Sequence, residues 1–146
     1  MKRLFVICLS ALIFYGCATG YQSKGFRGGF EDSQLDDNVF KVMFAGNNYT
    51  SKEKTNDFCL IRCCEVAMDN SYKYFVVSDN QDFSTSETEY VPQKDFRGNV
   101  IVQERTSSKK KIELTITCYN DKPKTDVTVY NAEITMKNLK RKYGIE

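Results

Sequence analysis

Residues 111–118 read Lys-Ile-Glu-Leu-Thr-Ile-Thr-Cys, the cleanest alternation of apolar and polar side chains in the sequence. Ile112, Leu114, Ile116 and Cys118 fall on one side, and Glu113, Thr115 and Thr117 on the other. Successive side chains on a strand point to opposite faces, so this pattern predicts a strand with one face in a core and one in water. Such a sheet needs a cover on its apolar face.

Working outward, Val39–Ala45 repeats the period, with Phe40, Val42 and Phe44 alternating with Lys41 and Met43. After Gly46-Asn47-Asn48, Thr50 stands three residues before Glu53, the spacing of a capping box at a helix start. The run that follows places Leu60, Ile61, Cys64, Ala67 and Met68 on one face of a helix near 51–69, with Asn70 as a left-handed stop. Tyr72–Ser78 reads as a strand, Asp79 to Lys94 as a polar surface loop, and Val100–Glu104 as the partner of 111–118 in a hairpin. Around Val127–Tyr130 a short strand leads to Asn131, the cap of a last helix whose stripe is Ala132, Met136, Leu139 and Tyr143, ending at Gly144. These elements predict an α+β two-layer sandwich over 39–146: one mostly antiparallel sheet of four to five strands covered by two helices.

The first sixteen residues have the grammar of a secretory signal. Lys2 and Arg3 precede an apolar run from Leu4 to Tyr15, too short for a bilayer span of about 20 residues. Gly16 stands directly before Cys17, as in a bacterial lipobox, where the cysteine thiol receives a diacylglycerol and the freed amine is acylated. Residues 1–16 are therefore expected to be a lipoprotein signal peptide and Cys17 the lipidation site. Segment 17–38, rich in Gly, Ser, Gln and Asp, reads as a tether whose aromatics Tyr21, Phe26 and Phe30 could serve as partner contacts.

Charge narrows the function classes. Lys2 and Arg3 are two of 21 cations, and without them cations and anions balance at 19 each. Binding of nucleic acid through bulk positive charge is not expected. Histidine is absent, which removes Ser-His-Asp triads, Cys-His dyads and His-ligated metal sites. Cys59, Cys63, Cys64 and Cys118 remain once Cys8 and Cys17 are assigned to the signal and the lipid. They read mainly as packing residues. Cys59 and Cys63 share a side of the helix while Cys64 turns to the core, and Cys118 is a candidate for a disulfide with Cys59, Cys63 or Cys64 in an oxidising compartment. No metal site, cofactor or catalytic residue is expected: no Cys-x-x-Cys pair occurs, and no carboxylate pair stands out. Lys109-Lys110-Lys111 reads as a solvated turn that can touch anionic lipid heads.

Gly20-Tyr21-Gln22, Gly25-Phe26, Gly28-Gly29-Phe30, Asn38, Phe40, Val42, Phe44, Gly46-Asn47 and Thr50 together resemble a family of small uncharacterised lipoproteins of Gram-negative bacteria. The helix from Asp57-Phe58 through Leu60, Arg62 and Glu65, the pair Tyr74-Phe75, and the ending Lys142-Tyr143-Gly144-Ile145 are similar too. Cys63-Cys64 stand where such proteins more often carry alanine, which implies small buried groups. The resemblance implies an envelope address and a compact domain, with no reaction attached.

The function expected is a binding or structural lipoprotein, not an enzyme. It would sit on the periplasmic face of the outer membrane, held there by its lipid, and act by contact with another envelope protein. The alternative is a periplasmic small-ligand binder or a hydrolase with a cryptic carboxylate site. An enclosed pocket would favour the alternative, and a filled core with an exposed apolar patch the former.

Overall fold

A computed structural model describes residues 18–145, so the expected signal peptide and Cys17 lie outside the described residues. The strands are β1 (Gly29–Asp36), β2 (Val39–Ala45), β3 (Tyr74–Asp82), β4 (Thr85–Lys94), β5 (Val100–Lys109), β6 (Lys111–Tyr119) and β7 (Val129–Asn131). The helices are α1 (Lys52–Asp69) and α2 (Ala132–Tyr143). Five strands form one sheet in the order β1-β2-β6-β3-β7, every neighbouring pair antiparallel. The architecture is the α+β sheet covered by two helices that the periodicity predicts.

The central strand carries the quoted segment. On β6, Ile112, Leu114, Ile116 and Cys118 are buried while the residues between them are partly exposed. Across the ladder Ile112 meets Phe44, Leu114 meets Val42 and Ile116 meets Phe40, so two alternating strands present one continuous apolar face. On the other flank of β6, Phe75 lies opposite Cys118.

Helix α1 lies on β2 and β6 and is flanked by α2. Cover on two sides explains a wider buried surface than one helical stripe: Thr55, Phe58, Cys59, Ile61, Cys63, Cys64, Val66 and Ala67 are all buried. Met68, expected in the core, is instead 40% exposed. The N-cap is Ser51, whose side chain accepts from the Lys54 N–H, and not Thr50. Thr50 is occupied elsewhere, accepting from the backbone N–H of Thr19 at 3.0 Å. The left-handed residue after α1 is Ser71 (φ 67°), one position beyond the expected Asn70. Helix α2 matches expectation, capped by the Asn131 side chain and closed by Gly144 in the left-handed region.

Three further expectations are corrected. Segment 17–38 is not a tether throughout, because Gly29–Asp36 pairs with β2 as an edge strand. Its side chains beyond Phe30 are exposed, so no apolar period marks it, and the β2 backbone supplies the ordering bonds. Gly28 (φ 96°) and Gly29 (φ 128°) make the turn into it. A Cβ at Gly28 would stand 2.2 Å from the Ala45 carbonyl oxygen, so this pair serves a tight turn and not flexibility. The expected loop 79–94 contains β4 and the end of β3. Finally, β5 pairs with β4 and not with β6: Thr85 faces Lys109 and Lys94 faces Val100. Together β4 and β5 make a separate two-stranded arm, joined in the chain to β3 and β6 beyond their last pair, Asp82 with Ile112.

Candidate functional site

The N-terminal segment reaches the domain through hydrogen bonds that a polar chain needs once it is taken from water. The buried Thr19 gives its N–H to Thr50 Oγ1 at 3.0 Å and its hydroxyl to the Arg27 carbonyl at 2.8 Å. It accepts the Asn47 N–H at 2.9 Å. Two residues on, Tyr21 turns inward. Its ring lies 4.9 Å from Phe30 and 5.6 Å, edge-on, from Phe58, and its hydroxyl donates to Glu65 Oε2. Burial and the Glu65 carboxylate both push the Tyr21 hydroxyl pKa far above its usual value.

Glu65 is the centre of this cluster. Arg62 Nη1 reaches its Oε2 at 3.0 Å and Lys140 Nζ its Oε1 at 3.1 Å. Arg62 also holds Asp32 at 2.8 Å and lies over the Phe30 ring at 4.7 Å. One partly buried network therefore ties the N-terminal segment, β1, α1 and α2 together. A second joins the helices nearby, where Lys142 Nζ meets Asp57 Oδ2 at 2.7 Å and the Tyr143 hydroxyl donates to the same oxygen at 2.8 Å. Each acid here is neutralised by a cation, which suits a structural lock better than a proton-transfer site.

Of the aromatics expected as partner contacts, Tyr21 and Phe30 are corrected: both pack on their own core. Apolar ring area finds a ready surface there between Phe58 and the Arg62 guanidinium. Phe26 alone of the three is fully exposed. Tyr21→Phe is expected to destabilise the domain by about 1.5–3 kcal/mol, the usual worth of a hydrogen bond to a charged group. Phe26→Ser should leave urea unfolding unchanged. Equal effects would contradict this placement.

The cysteines are also resolved. Cys59, Cys63, Cys64 and Cys118 are all free and buried, so no Cys118 disulfide with Cys59, Cys63 or Cys64 is present. Cys59 is buried as fully as Cys64 because it faces the sheet, where its thiol donates to the Val42 carbonyl at 3.3 Å, while Cys64 lies toward Met136 of α2. Burial raises the Cys64 and Cys118 thiols to about 12. Burial and a hydrogen bond with Cys59 push Cys63 well above its usual range. Thiolate chemistry at neutral pH is disfavoured in such a setting. Among the described residues no group of three or more acidic or cysteine side chains is arranged to hold a metal.

Two surface features were hidden in the sequence. On the arm, Tyr90, Pro92, Val100 and Val102 share one face by ladder register, with Glu104 opposite Tyr90. Tyr90, Val100 and Val102 are 69%, 67% and 66% exposed. At the arm's base a groove of about 540 Å³ opens between the 26–28 turn, the 45–49 loop and residues 107–111. Apolar runs at Tyr90-Val91 and Val100–Val102 could have flagged the arm, but a loop reading absorbed the first of them.

No family model matches the chain, and no curated protein or solved structure is significantly similar to it. No helix among the described residues is long and apolar enough to cross a membrane.

Proposed function

We propose that this chain is an envelope lipoprotein, anchored through Cys17 on the periplasmic face of the outer membrane, that works by protein–protein contact and not by turnover. The observation that carries the contact reading is the β4–β5 arm. It presents Tyr90, Val100 and Val102 to solvent on one face, in a protein whose own core is filled by other residues. Exposed apolar surface of this kind marks interaction sites.

The arm's outer edges have no ladder partner among the described residues. Pro92 removes a donor from β4, which leaves β5 as the better edge for an added strand. An extended segment of another envelope protein could pair there through its backbone and set its side chains against Tyr90 and Val102. The anchor reading rests on the charged start, the short apolar run and Gly16-Cys17.

Intact-mass analysis of membrane-extracted protein is expected to show the mature chain starting at an acylated Cys17. A photo-crosslinker at position 102 is expected to capture one envelope protein in intact cells, and Val100→Pro, which removes an N–H from the outer edge of β5, should abolish that adduct. Adducts that survive Val100→Pro would refute strand addition at β5.

A further inference from the structure

We infer that the groove at the base of the arm is a membrane-docking surface that lies against anionic phospholipid headgroups. The inference deepens the anchored-lipoprotein reading and rests on it for orientation. Three observations meet at this place.

The first is how the N-terminal segment enters the domain. Thr19 is buried and held by bonds to Thr50, Arg27 and Asn47, so the domain begins without slack. Residue 17 is only two positions away, at most about 7 Å of extended chain. A lipid on Cys17 would bring the bilayer against this end of the domain, not hold it at the end of a long leash.

The second is charge. Arg27, Lys109, Lys110 and Lys111 line the groove, and no carboxylate is among its lining residues. A cationic concavity beside a lipid anchor complements phosphate headgroups, and basic residues at such a surface act within a Debye length of about 8 Å.

The third is the aromatic rim. Phe26, Tyr49 and Phe83 line the same groove and are 107%, 72% and 45% exposed. Lys111 sits over the Phe83 ring at 5.2 Å. Aromatic rings interleaved with cations match the headgroup layer, where rings settle among the polar heads and ammonium groups reach phosphate. The arrangement also fits the arm. Thr85, Ser107 and Lys109 line the groove and belong to the ladder face opposite Tyr90, Pro92 and Val102. A bilayer at the groove would leave the apolar face of the arm open to a periplasmic partner.

The test uses the mature chain with Cys17→Ser, which keeps every described residue and carries no lipid. It is sedimented with vesicles of phosphatidylglycerol and phosphatidylcholine in equal parts, and with phosphatidylcholine alone. Binding to the anionic vesicles only is expected, weakening as salt is raised. Each lost cation should cost roughly fivefold in partitioning, so Lys109→Glu/Lys110→Glu should bind on the order of twentyfold more weakly or worse. Phe26→Ser should weaken binding several-fold. Lys122→Glu/Lys124→Glu, beyond the far end of β6, should bind like the parent. Equal binding to both vesicle types, no binding to either, or equal losses for the two lysine pairs would overturn the proposal. Because the protein tested has no lipid, failure here leaves acylation of Cys17 standing, and an unacylated Cys17 would leave vesicle binding standing.

Discussion

Replacing Phe44 by alanine is expected to destabilise the domain by about 3–5 kcal/mol, the range for deleting a fully buried ring. Phe44 has no exposed surface, faces Ile112 across the ladder and meets the Phe58 ring edge-on at 5.2 Å. The loss removes apolar area from a site closed by the sheet on one side and α1 on the other, where backbone cannot collapse to fill the void. Thr115→Ala, on the outer face of β6, should cost well under half as much. Urea denaturation of both variants measures the difference, and similar midpoints would show that the assigned strand phase is wrong.

Raising the pH is expected to destabilise the protein steeply from about pH 8.5 upward. An exposed thiol titrates near 8.5. Burial holds Cys64 and Cys118 at about 12 and pushes Cys63 well above its usual value. Between those limits the unfolded chain releases protons that the folded chain keeps. The stability is therefore complete below the unfolded thiol value and falls as pH rises toward the folded one. The slope approaches about 1.4 kcal/mol per pH unit for each such thiol. Thermal midpoints under reducing conditions at pH 7.5, 8.5 and 9.5 should fall progressively. Cys64→Ala/Cys118→Ala should flatten that decline, even if the variant starts from a lower midpoint. An equally steep decline in the variant would assign the alkaline loss to other groups.

The same thiols show how far patterning reaches. A helical wheel with one apolar stripe places Cys64 inward and Cys59 to the side, yet it is the Cys59 thiol that meets the sheet, at the Val42 carbonyl. Helix α2 closes the second side of α1, where Cys64 lies toward Met136, so all three thiols are buried. Polar neighbours such as Asn56 and Arg62 widen the apparent polar face, so the second contact leaves little trace in the period.

Alternation in β2 and β6, the α1 run and the capped, glycine-closed α2 was readable from residues alone, because each is a local period or cap imposed by a single buried face. Those elements determine the α+β class. Tertiary structure decided the rest. Gly29–Asp36 became a strand because β2 offered a free edge, and edge pairing needs backbone groups, not an apolar period. Thr50 left the expected cap to bind Thr19, and Tyr21 gave up solvent for Phe58 and Glu65, both choices made by partners 31 and 44 residues distant. The pairing of β5 with β4 followed from β6 already having β2 and β3 on its two edges, since a strand has only two hydrogen-bonding sides.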